Sequence, residues 1–483
     1  MAADADSGVA RTALRVLKEH AETFAGHSPS RFAILAFTTI IALTTLVLAT
    51  PWASATGRWT DLPSALFTAT STVCVTGLTV VDMSTHWSPF GNAVILIGAQ
   101  IGGIGVLTMA SMMGMVVTRR LSLRQRLIAA SDTNPLRTHA GPVSEGQAIR
   151  LGEVGGLLAT VLYSSLTVEA LLFVSILPHL LWRGTDLPVA LYDALYLSVS
   201  AFNNVGYTPF DDGLASYAGD GYLMAVLVIG VFAGSLGYPV VYAAIGNLRA
   251  VITGATRHPH WSLHVRLTVV TTLVLAAFGT LMFTLTEWSN PGTIGMGAEW
   301  TRPWQALFYA TMTRSGGFSL FDPSQLSDSG LLVSQLMMFI GGGSASTAGG
   351  IKVTTIAVLF LAALAEARGQ TEIQAFDRRI PHDVLRVAVS IVLWGVSIVL
   401  TATLVILPFT DQPVDDVLFD VISAFATCGL STGVTAELPT VGMLVLSATM
   451  WAGRVGTVTL AAAIASSPNR QLFKHPEERP IVG

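Results

Sequence analysis

The sequence predicts an all-α membrane protein in which four pseudo-repeats of helix, re-entrant pore loop and helix surround one central pore. Three observations lead to this prediction. The 483 residues are 52% hydrophobic and only 12% charged, roughly half the charged share of an average soluble domain. Apolar runs long enough to cross a bilayer recur along the whole chain. Four short segments between these runs resemble one another in sequence.

The apolar runs set the length scale of the fold. Runs such as 32–50, 267–284 and 387–407 are each about 20 residues long, enough for a helix to cross a bilayer. The runs divide the chain into four repeats, 31–118, 151–248, 264–365 and 383–465. The remaining parts are an N-terminal segment (1–30), three linkers (119–150, 249–263 and 366–382) and a C-terminal tail (466–483).

Each short segment contains an aromatic residue, then a stretch rich in Ser, Thr and Ala, then a glycine followed by Leu, Phe or Tyr. The segments are ALFTATSTVCVTGL (65–78), ALYLSVSAFNNVGY (194–207), ALFYATMTRSGGF (306–318) and VLFDVISAFATCGL (417–430). The part before each glycine is too short to span a bilayer. Irregular backbone at membrane depth is tolerated only where protein or a water-filled cavity covers it. We therefore expect four re-entrant loops that meet around a cavity.

The distribution of charge predicts the orientation. Of the 26 Lys and Arg residues, 20 lie at the two termini or between one repeat and the next. Because short cytoplasmic loops carry an excess of basic residues, we expect both termini in the cytoplasm and the short segments entering from outside. Acidic residues near the short segments predict an outer face that concentrates cations.

The chemistry of the four glycine-containing loops favours a cation site. Rings of backbone carbonyls can replace the water around a monovalent cation, and glycine keeps side chains out of the ion path. The C-terminal end of each short helix adds partial negative charge. The alternative is that the glycines only allow close helix packing. The predicted filter consists of Val75, Thr76, Gly77, Asn204, Val205, Gly206, Ser315, Gly316, Gly317, Thr427, Cys428 and Gly429.

A gate is predicted beneath the filter. Lys352 is the only charged residue in the 34 residues 331–364, which as one helix would be about 51 Å long, far more than a bilayer core of roughly 30 Å. The segment must break at GGGSASTAGG, which predicts an intramembrane gating loop at 341–355. A phosphate-binding loop is excluded, because that motif needs Lys directly after its second glycine. The predicted gate residues are Gly341, Gly342, Gly343, Ser344, Ser346, Thr347, Gly349, Gly350, Lys352 and Arg454.

Several charged residues fall inside the predicted spans, where a charge costs a few kcal/mol and tends to be functional. Arg454 is interpreted as a barrier in the closed state, with a structural ion pair or hydrogen bonds to loop carbonyls as the alternative. Lys352 either snorkels to the cytoplasm or takes part in gating. We expect Arg314 to brace the third segment. Glu169 is either a packed, hydrogen-bonded residue or a proton site.

Taken together, these motifs resemble a known family. TSTVCVTGL, SAFNNVGY, RSGGF and TCGLSTG, with QIGGIG, SLHVRL, GGSASTAGGIK and GRVG between them, are similar to the Trk/Ktr/HKT superfamily of potassium transporters, and most closely to its Ktr-type pore subunits. The resemblance covers about 32–467. It implies potassium uptake across the bacterial plasma membrane, with potassium held by the filter carbonyls. It also implies a homodimer and a cytoplasmic RCK-type (KtrA-like) ring that binds the regulatory nucleotide in place of this chain.

Some positions depart from the family pattern, and alternatives remain. RSGGF replaces an RTAGF-like stretch, and Cys74 and Cys428 lie in the filter loops, so the degree of potassium over sodium discrimination stays open. The alternatives are a sodium- or proton-coupled cation transporter and a Trk-type subunit, with sodium as an activating or coupling ion. We expect no enzymatic activity, no covalent cofactor and no nucleic-acid partner. The histidines lie mainly in loops or at the ends of spans and offer no buried nucleophile and base.

Overall fold

The computed structural model describes residues 29–120, 151–252 and 261–456. Most of the predicted N-terminal segment, the linker 119–150 and the tail lie outside these residues. The helices are α1 (Pro29–Leu48), α2 (Leu62–Val73), α3 (Pro89–Arg120), α4 (Leu151–Trp182), α5 (Leu187–Asn203), α6 (Gly221–Leu236), α7 (Tyr238–Ile252), α8 (Leu263–Glu287), α9 (Arg302–Met312), α10 (Asp328–Phe339), α11 (Val353–Ala367), α12 (His382–Ile406), α13 (Val414–Ala426), α14 (Val434–Glu437) and α15 (Thr440–Trp451). Single 3-10 turns lie at Ala215–Tyr217, Ile294–Met296, Pro323–Gln325 and Leu407–Phe409, and a π-helical turn lies at Ala452–Gly456. The predicted all-α fold class is confirmed.

The helices follow one order four times along the chain. A long helix (α1, α4, α8 or α12) comes first and a short, largely buried helix (α2, α5, α9 or α13) follows it. An apolar helix or broken helix pair then completes the unit. Proline lies in the first turn of α2, α5 and α9, where the missing N–H costs no helical hydrogen bond. These three short helices therefore begin sharply after a loop.

The long helices match the dimensions of a bilayer. Among the described residues, three helices are long and apolar enough to cross a membrane: Val161–Trp182, Leu263–Glu287 and His382–Phe409. The pair α6 and α7 passes the same test together, bent by 109° between the two helices. Shorter apolar helices lie at Ile34–Leu48, Pro89–Gly105 and Val353–Ala367. By length and composition, the described chain thus holds three or four candidate spans and three shorter apolar helices.

The third repeat contains a break between α10 and α11. α10 ends at Phe339, and α11 begins at Val353, inside the range 341–355 that the sequence assigns to a loop. We call the connecting residues 340–352 the inner loop. Its two ends are joined where the Gly341 N–H donates to the Ile351 carbonyl at 2.9 Å. The inner loop is therefore a closed turn of chain with both ends held together.

A small hairpin lies in the linker 366–382, where the sequence predicts no strand. Its strands are β1 (Ile373–Ala375) and β2 (Arg378–Ile380), paired antiparallel. The two-residue turn between them, Phe376 and Asp377, has φ values of 50° and 60°. Tight hairpin turns of this kind usually carry Asn, Asp or Gly at both positions, and Phe376 does not fit this pattern, which explains why the sequence does not reveal the turn. The side chains at its outer pair, Ile373 and Ile380, bury against α8, α11 and α12.

An ionic cluster ties the end of α4 to the start of α6, and its carboxylate, Asp220, lies in the loop just before α6. The Asp220 carboxylate accepts from Arg183 at 2.8 Å and lies 2.6 Å from His179 Nε2. It also caps α6 by accepting from the Leu223 N–H at 3.1 Å. Burial raises the pKa of Asp220, but these hydrogen bonds and the charge of His179 hold it below its ordinary value.

We expect Asp220→Asn to lower the stability of the protein at pH 7 by about 1.5–3 kcal/mol, the range for a hydrogen bond to a charged group. A carboxylate with a lowered pKa stabilises the fold above its unfolded pKa and loses this effect as the pH falls through the folded value. The difference in Tm between variant and wild type should thus persist at pH 5 and shrink below about pH 4. Thermal unfolding of the detergent-solubilised protein measures this. Asp186→Asn is the control, because Asp186 caps α5 without a side-chain hydrogen bond, and an equal loss in both variants would contradict the prediction.

Candidate functional site

The four short helices end in the same backbone turn. A residue one to three positions after the end of the helix has a left-handed conformation, and a glycine with positive φ follows two positions further on. The φ values are 58° at Val75, 61° at Asn204, 94° at Ser315 and 49° at Thr427, then 94° at Gly77, 83° at Gly206, 73° at Gly317 and 98° at Gly429. Positive φ is uncommon outside glycine and costs energy. Four occurrences at matching positions mean that the turn itself is required.

The amide that precedes each glycine is tied back to the short helix. The N–H groups of Thr76, Val205, Gly316 and Cys428 donate to the carbonyls of Ser71, Ser200, Met312 and Ser423 at 2.7, 2.9, 2.8 and 2.9 Å. In the first and fourth repeats, the Ser71 and Ser423 hydroxyls also accept from the N–H groups of Gly77 and Gly429, both at 3.1 Å. These bonds turn the N–H groups toward the helices. Serine recurs four residues after the aromatic in three repeats, a signal that sequence reasoning missed.

The four glycines meet around one axis. A Cβ atom built on any of them would clash with a neighbouring segment. On Gly77 it would lie 1.8 Å from the Val205 oxygen, and on Gly206 it would lie 2.6 Å from the Gly317 Cα. On Gly317 it would lie 2.5 Å from the Cys428 oxygen, and on Gly429 it would lie 2.3 Å from the Thr76 oxygen. Each segment thus touches the next, and the fourth touches the first. The carbonyls of Thr76, Val205, Gly316 and Cys428 all lie within 3.0 Å of such a position. We call these four carbonyls, with the four glycines, the carbonyl ring.

The carbonyl ring offers oxygen ligands from the backbone alone. Within 29–120, 151–252 and 261–456, no cluster of three His, Cys, Asp or Glu side chains could hold a metal ion. The short helices also point their C-terminal ends, which carry partial negative charge, toward the ring. Backbone carbonyls in this arrangement can replace the hydration shell of a monovalent cation. All twelve residues predicted for the filter lie in these four turns.

The inner loop packs directly against the carbonyl ring and the short helices. The Gly349 N–H donates to Ser315 Oγ at 3.3 Å, and Ser315 Oγ donates to the Thr427 carbonyl at 3.1 Å. Thr347 Oγ1 donates to the Phe202 carbonyl at the end of α5 at 3.2 Å. A Cβ on Gly349 would lie 2.1 Å from Thr427 Oγ1. The glycines of this loop are therefore needed for close approach to the turns.

The predicted gate residues all belong to the inner loop or contact it. Ser346 Oγ donates to the Gly343 carbonyl at 2.6 Å, and Ser344 Oγ lies 3.0 Å from Thr354 Oγ1. A Cβ on Gly341 would lie 2.0 Å from the Gly349 oxygen. The loop is also held to α6, because a Cβ on Gly342 would lie 2.7 Å from the Ser235 oxygen and Gly343 N–H donates to that oxygen at 2.7 Å. Gly350 has a positive φ of 66° and packs on Ala426.

Two basic side chains, Arg454 and Lys352, donate hydrogen bonds to carbonyls of the inner loop. Arg454 is 2% exposed, and its guanidinium donates to the Thr347 carbonyl and, at 3.5 Å, to the Gly102 carbonyl of α3. Lys352 Nζ donates to the Ala348 carbonyl at 2.5 Å. The structure contains the hydrogen bonds to loop carbonyls that are one of the alternatives predicted for Arg454. It contains no ion pair of Arg454, since no carboxylate of the described chain lies within ion-pair distance of this side chain. Lys352 reaches back along the loop toward Ala348.

Three further polar residues fix the turns. Arg314, expected to brace the third segment, does so through the carbonyls of Thr272 at 3.1 Å and Gly341 at 3.3 Å. Asp420 on α13 accepts from the N–H groups of Thr432 at 2.9 Å and Thr435 at 2.8 Å, which holds the chain that follows the fourth glycine. Sequence reasoning missed Asp420. Glu169 is buried and hydrogen-bonded to Asn203 at 3.1 Å.

Comparison with known proteins agrees with this architecture. The TrkH family model, described as cation transport protein, matches residues 9–475. The chain is 31% identical to Ktr system potassium uptake protein B of Bacillus subtilis, over 94% of this chain and 96% of that protein. It is 32% identical to the protein of the same name from Vibrio alginolyticus, over 94% of each. It is 28% identical to the potassium/sodium uptake protein NtpJ of Enterococcus hirae, over 94% of this chain and 97% of that protein.

A solved structure shows a similar fold. The potassium transporter TrkH from Vibrio parahaemolyticus superposes with a TM-score of 0.67 at 16% identity, over 91% of this chain and 85% of that chain. These relatives are named as cation transporters and not as enzymes. With a family match across nearly its whole length and apolar helices of bilayer dimensions, this chain is a multi-pass membrane protein that belongs to the TrkH family of cation transport proteins.

Proposed function

We propose that this chain takes up potassium across the bacterial plasma membrane, with the carbonyl ring as its selectivity filter. The observation that carries the proposal is the ring itself: four backbone carbonyls, each preceding a glycine of positive φ, from four segments of one chain. Carbonyl rings of this kind are the means by which potassium is dehydrated and selected. The names of the Bacillus and Vibrio relatives, potassium uptake proteins, support the choice of ion.

The inner loop acts as the gate in this proposal. It lies against the carbonyl ring, and Arg454 holds its Thr347 carbonyl to α3. A fixed positive charge beside the ion path repels potassium, and the hydrogen bonds keep the loop in place. Release of the loop by Arg454 would therefore remove a steric and an electrostatic barrier together. Lys352, bonded to the Ala348 carbonyl, adds to the same barrier.

Partners and orientation complete the proposal. We place both termini in the cytoplasm, since basic residues concentrate at the termini and between the repeats. The resemblance to Ktr-type pore subunits supports a homodimer controlled by a cytoplasmic RCK-type (KtrA-like) ring that binds the nucleotide. In this proposal sodium is an activating or coupling ion, which the name of the Enterococcus relative supports.

Growth of cells that lack potassium uptake tests the proposal. The native chain, with a Ktr-type regulatory subunit co-expressed, should restore growth in low potassium, and Gly317→Ser should not, because its side chain would enter the ring against the Cys428 oxygen. Both proteins must be shown to reach the membrane. Absence of rescue by the native chain would contradict potassium uptake. Rescue by both chains would contradict the carbonyl ring as the filter.

A further inference from the structure

A buried polar cluster joins the second turn of the carbonyl ring to two neighbouring helices. Asn203, the last residue of α5, donates through Nδ2 to Glu169 Oε1 at 3.1 Å and to Gln100 Oε1 at 2.7 Å. Ser165 Oγ donates to Glu169 Oε1 at 3.4 Å and accepts from Gln100 Nε2 at 3.0 Å. We call these four residues the Glu169 cluster. It connects α3, α4 and α5 inside the protein.

The position of the cluster within the membrane is costly, which argues for a role. Glu169 lies within the candidate span Val161–Trp182 and is 6% exposed, and Asn203 is fully buried. Ionisable groups in spans are rare and tend to be functional, and buried polar groups need partners to offset the loss of water. An apolar contact between α4 and α5 would hold the helices together at lower cost. The cluster therefore supplies something that packing alone does not.

The cluster contacts the residue at which the chain leaves α5 and enters the second turn of the carbonyl ring. Asn203 immediately precedes Asn204, the left-handed residue, and lies two residues before the Val205 carbonyl. α3 is shaped to receive its side chain, since a Cβ on Gly103 would lie 2.0 Å from Asn203 Oδ1. Asn203 is thus held on both sides. A shift of Asn203 would move the backbone that leads to the Val205 oxygen.

Other residue types occupy the equivalent position in the other three repeats. Cys74, Arg314 and Ala426 precede the left-handed residue in the first, third and fourth repeats. Arg314 is also held, but by the backbone carbonyls of Thr272 and Gly341. Ala426 has no polar side-chain atom. Among the contacts of the described residues, a carboxylate side chain holds the residue before the turn in the second repeat alone, so a single substitution can release it.

We propose that Glu169 is a positioning residue for ion selectivity: acting through Asn203, it holds the Val205 carbonyl at the spacing that favours potassium over sodium. Sodium is the smaller ion, so a ring free to contract around it discriminates less well. The inference rests on the proposed function of the carbonyl ring. Glu169 lies on α4, the first helix of the second repeat, 34 positions before Asn203, and is not one of the residues of the carbonyl ring.

Competition for rubidium tracer uptake tests this inference. In cells expressing the chain with a Ktr-type regulatory subunit, the ratio of the sodium and potassium concentrations that halve tracer uptake measures selectivity. We expect Glu169→Leu to lower this ratio about tenfold, the order of effect of leaving one buried donor without its acceptor. Ser165 Oγ then loses its acceptor, and Asn203 Nδ2 keeps only Gln100 Oε1 and the Val199 carbonyl, so Asn203 is no longer held to α4. Glu169→Gln should keep the wild-type ratio, because its amide oxygen can still accept from Asn203. Ser164→Ala is the matched control on the same helix, since within the described part of the chain Ser164 Oγ bonds only to the Val161 carbonyl, at 2.8 Å.

The outcomes separate selectivity from stability and from the proposed function. An unchanged ratio in Glu169→Leu, or an equal fall in uptake of both ions, would overturn the inference. If Glu169→Leu does not reach the membrane, Asn203→Ala replaces it, because this change removes the donor instead of the acceptor, and the same two results decide. If the wild-type chain itself shows no preference for potassium, the proposed function fails and the role of Glu169 in selectivity fails with it, whereas the two results above overturn the role of Glu169 alone.

Discussion

Replacing Gly77 by Ala should abolish potassium uptake. The new Cβ would lie 1.8 Å from the Val205 oxygen, in the carbonyl ring, and Gly77 has a φ of 94°. Rotation of a side chain cannot relieve so short a contact with a backbone atom, so the ring must open or the Val205 carbonyl must turn away. Either change removes an ion ligand. Initial rates of rubidium tracer uptake, normalised to the amount of protein in the membrane, should fall to the level of cells without the transporter.

Gly184→Ala is the matched control for this experiment. Gly184 has nearly the same φ, 92°, but a Cβ there would meet no atom within 4 Å. The two variants therefore share the backbone strain of positive φ, about 1 kcal/mol for a non-glycine residue, and differ in the steric contact. Uptake by Gly184→Ala should equal that of the wild type. Wild-type uptake by Gly77→Ala would contradict the ring as the conduction path.

Removal of Arg454 should increase uptake in the absence of the regulatory subunit. Arg454→Ala removes the fixed charge and both hydrogen bonds that hold the Thr347 and Gly102 carbonyls. Hydrogen bonds to charged groups contribute about 1.5–3 kcal/mol each, so we expect a rise of about tenfold or more in the rate of tracer uptake. A deletion of 344–348, within the inner loop, should raise the rate in the same way.

Arg386→Ala controls for the loss of an arginine from the same repeat, since Arg386 is exposed near the start of α12. Its uptake should not change. If Arg454→Ala and the deletion both left the rate at the wild-type level, with normal amounts in the membrane, the inner loop would not be the gate. Equal increases in Arg454→Ala and Arg386→Ala would also contradict the account.

The parts of the fold that depend on the bilayer could be predicted from the sequence. Span lengths and charge bias report directly on membrane thickness and orientation, so the long helices and the all-α class are evident from apolar runs. The break between α10 and α11 follows from a segment too long for one span. The four turns could be located because glycine with positive φ leaves a mark in the sequence, as at Gly77 and Gly206.

The contacts between distant residues could not be predicted. Arg454 donates to carbonyls at Thr347 and Gly102, and any residue type could supply a carbonyl, so the sequence carries no signal for these partners. Glu169 and Asn203 meet only because α4 and α5 pack side by side. In the hairpin turn, Phe376 is not a residue typical of its left-handed conformation, which favours Gly, Asn and Asp. In each case tertiary packing, and not local pattern, determines the result.

Binding of potassium to the purified protein tests the central claim most directly, because it depends on neither the gate nor a regulatory subunit. Isothermal titration calorimetry in a choline buffer compares potassium with sodium on the wild-type chain, Gly77→Ala and Gly184→Ala. The carbonyl ring predicts that potassium binds more tightly than sodium to the wild type and to Gly184→Ala, and that Gly77→Ala loses this binding. Equal affinities for the two ions, or undiminished potassium binding by Gly77→Ala, would contradict the carbonyl ring as a potassium filter.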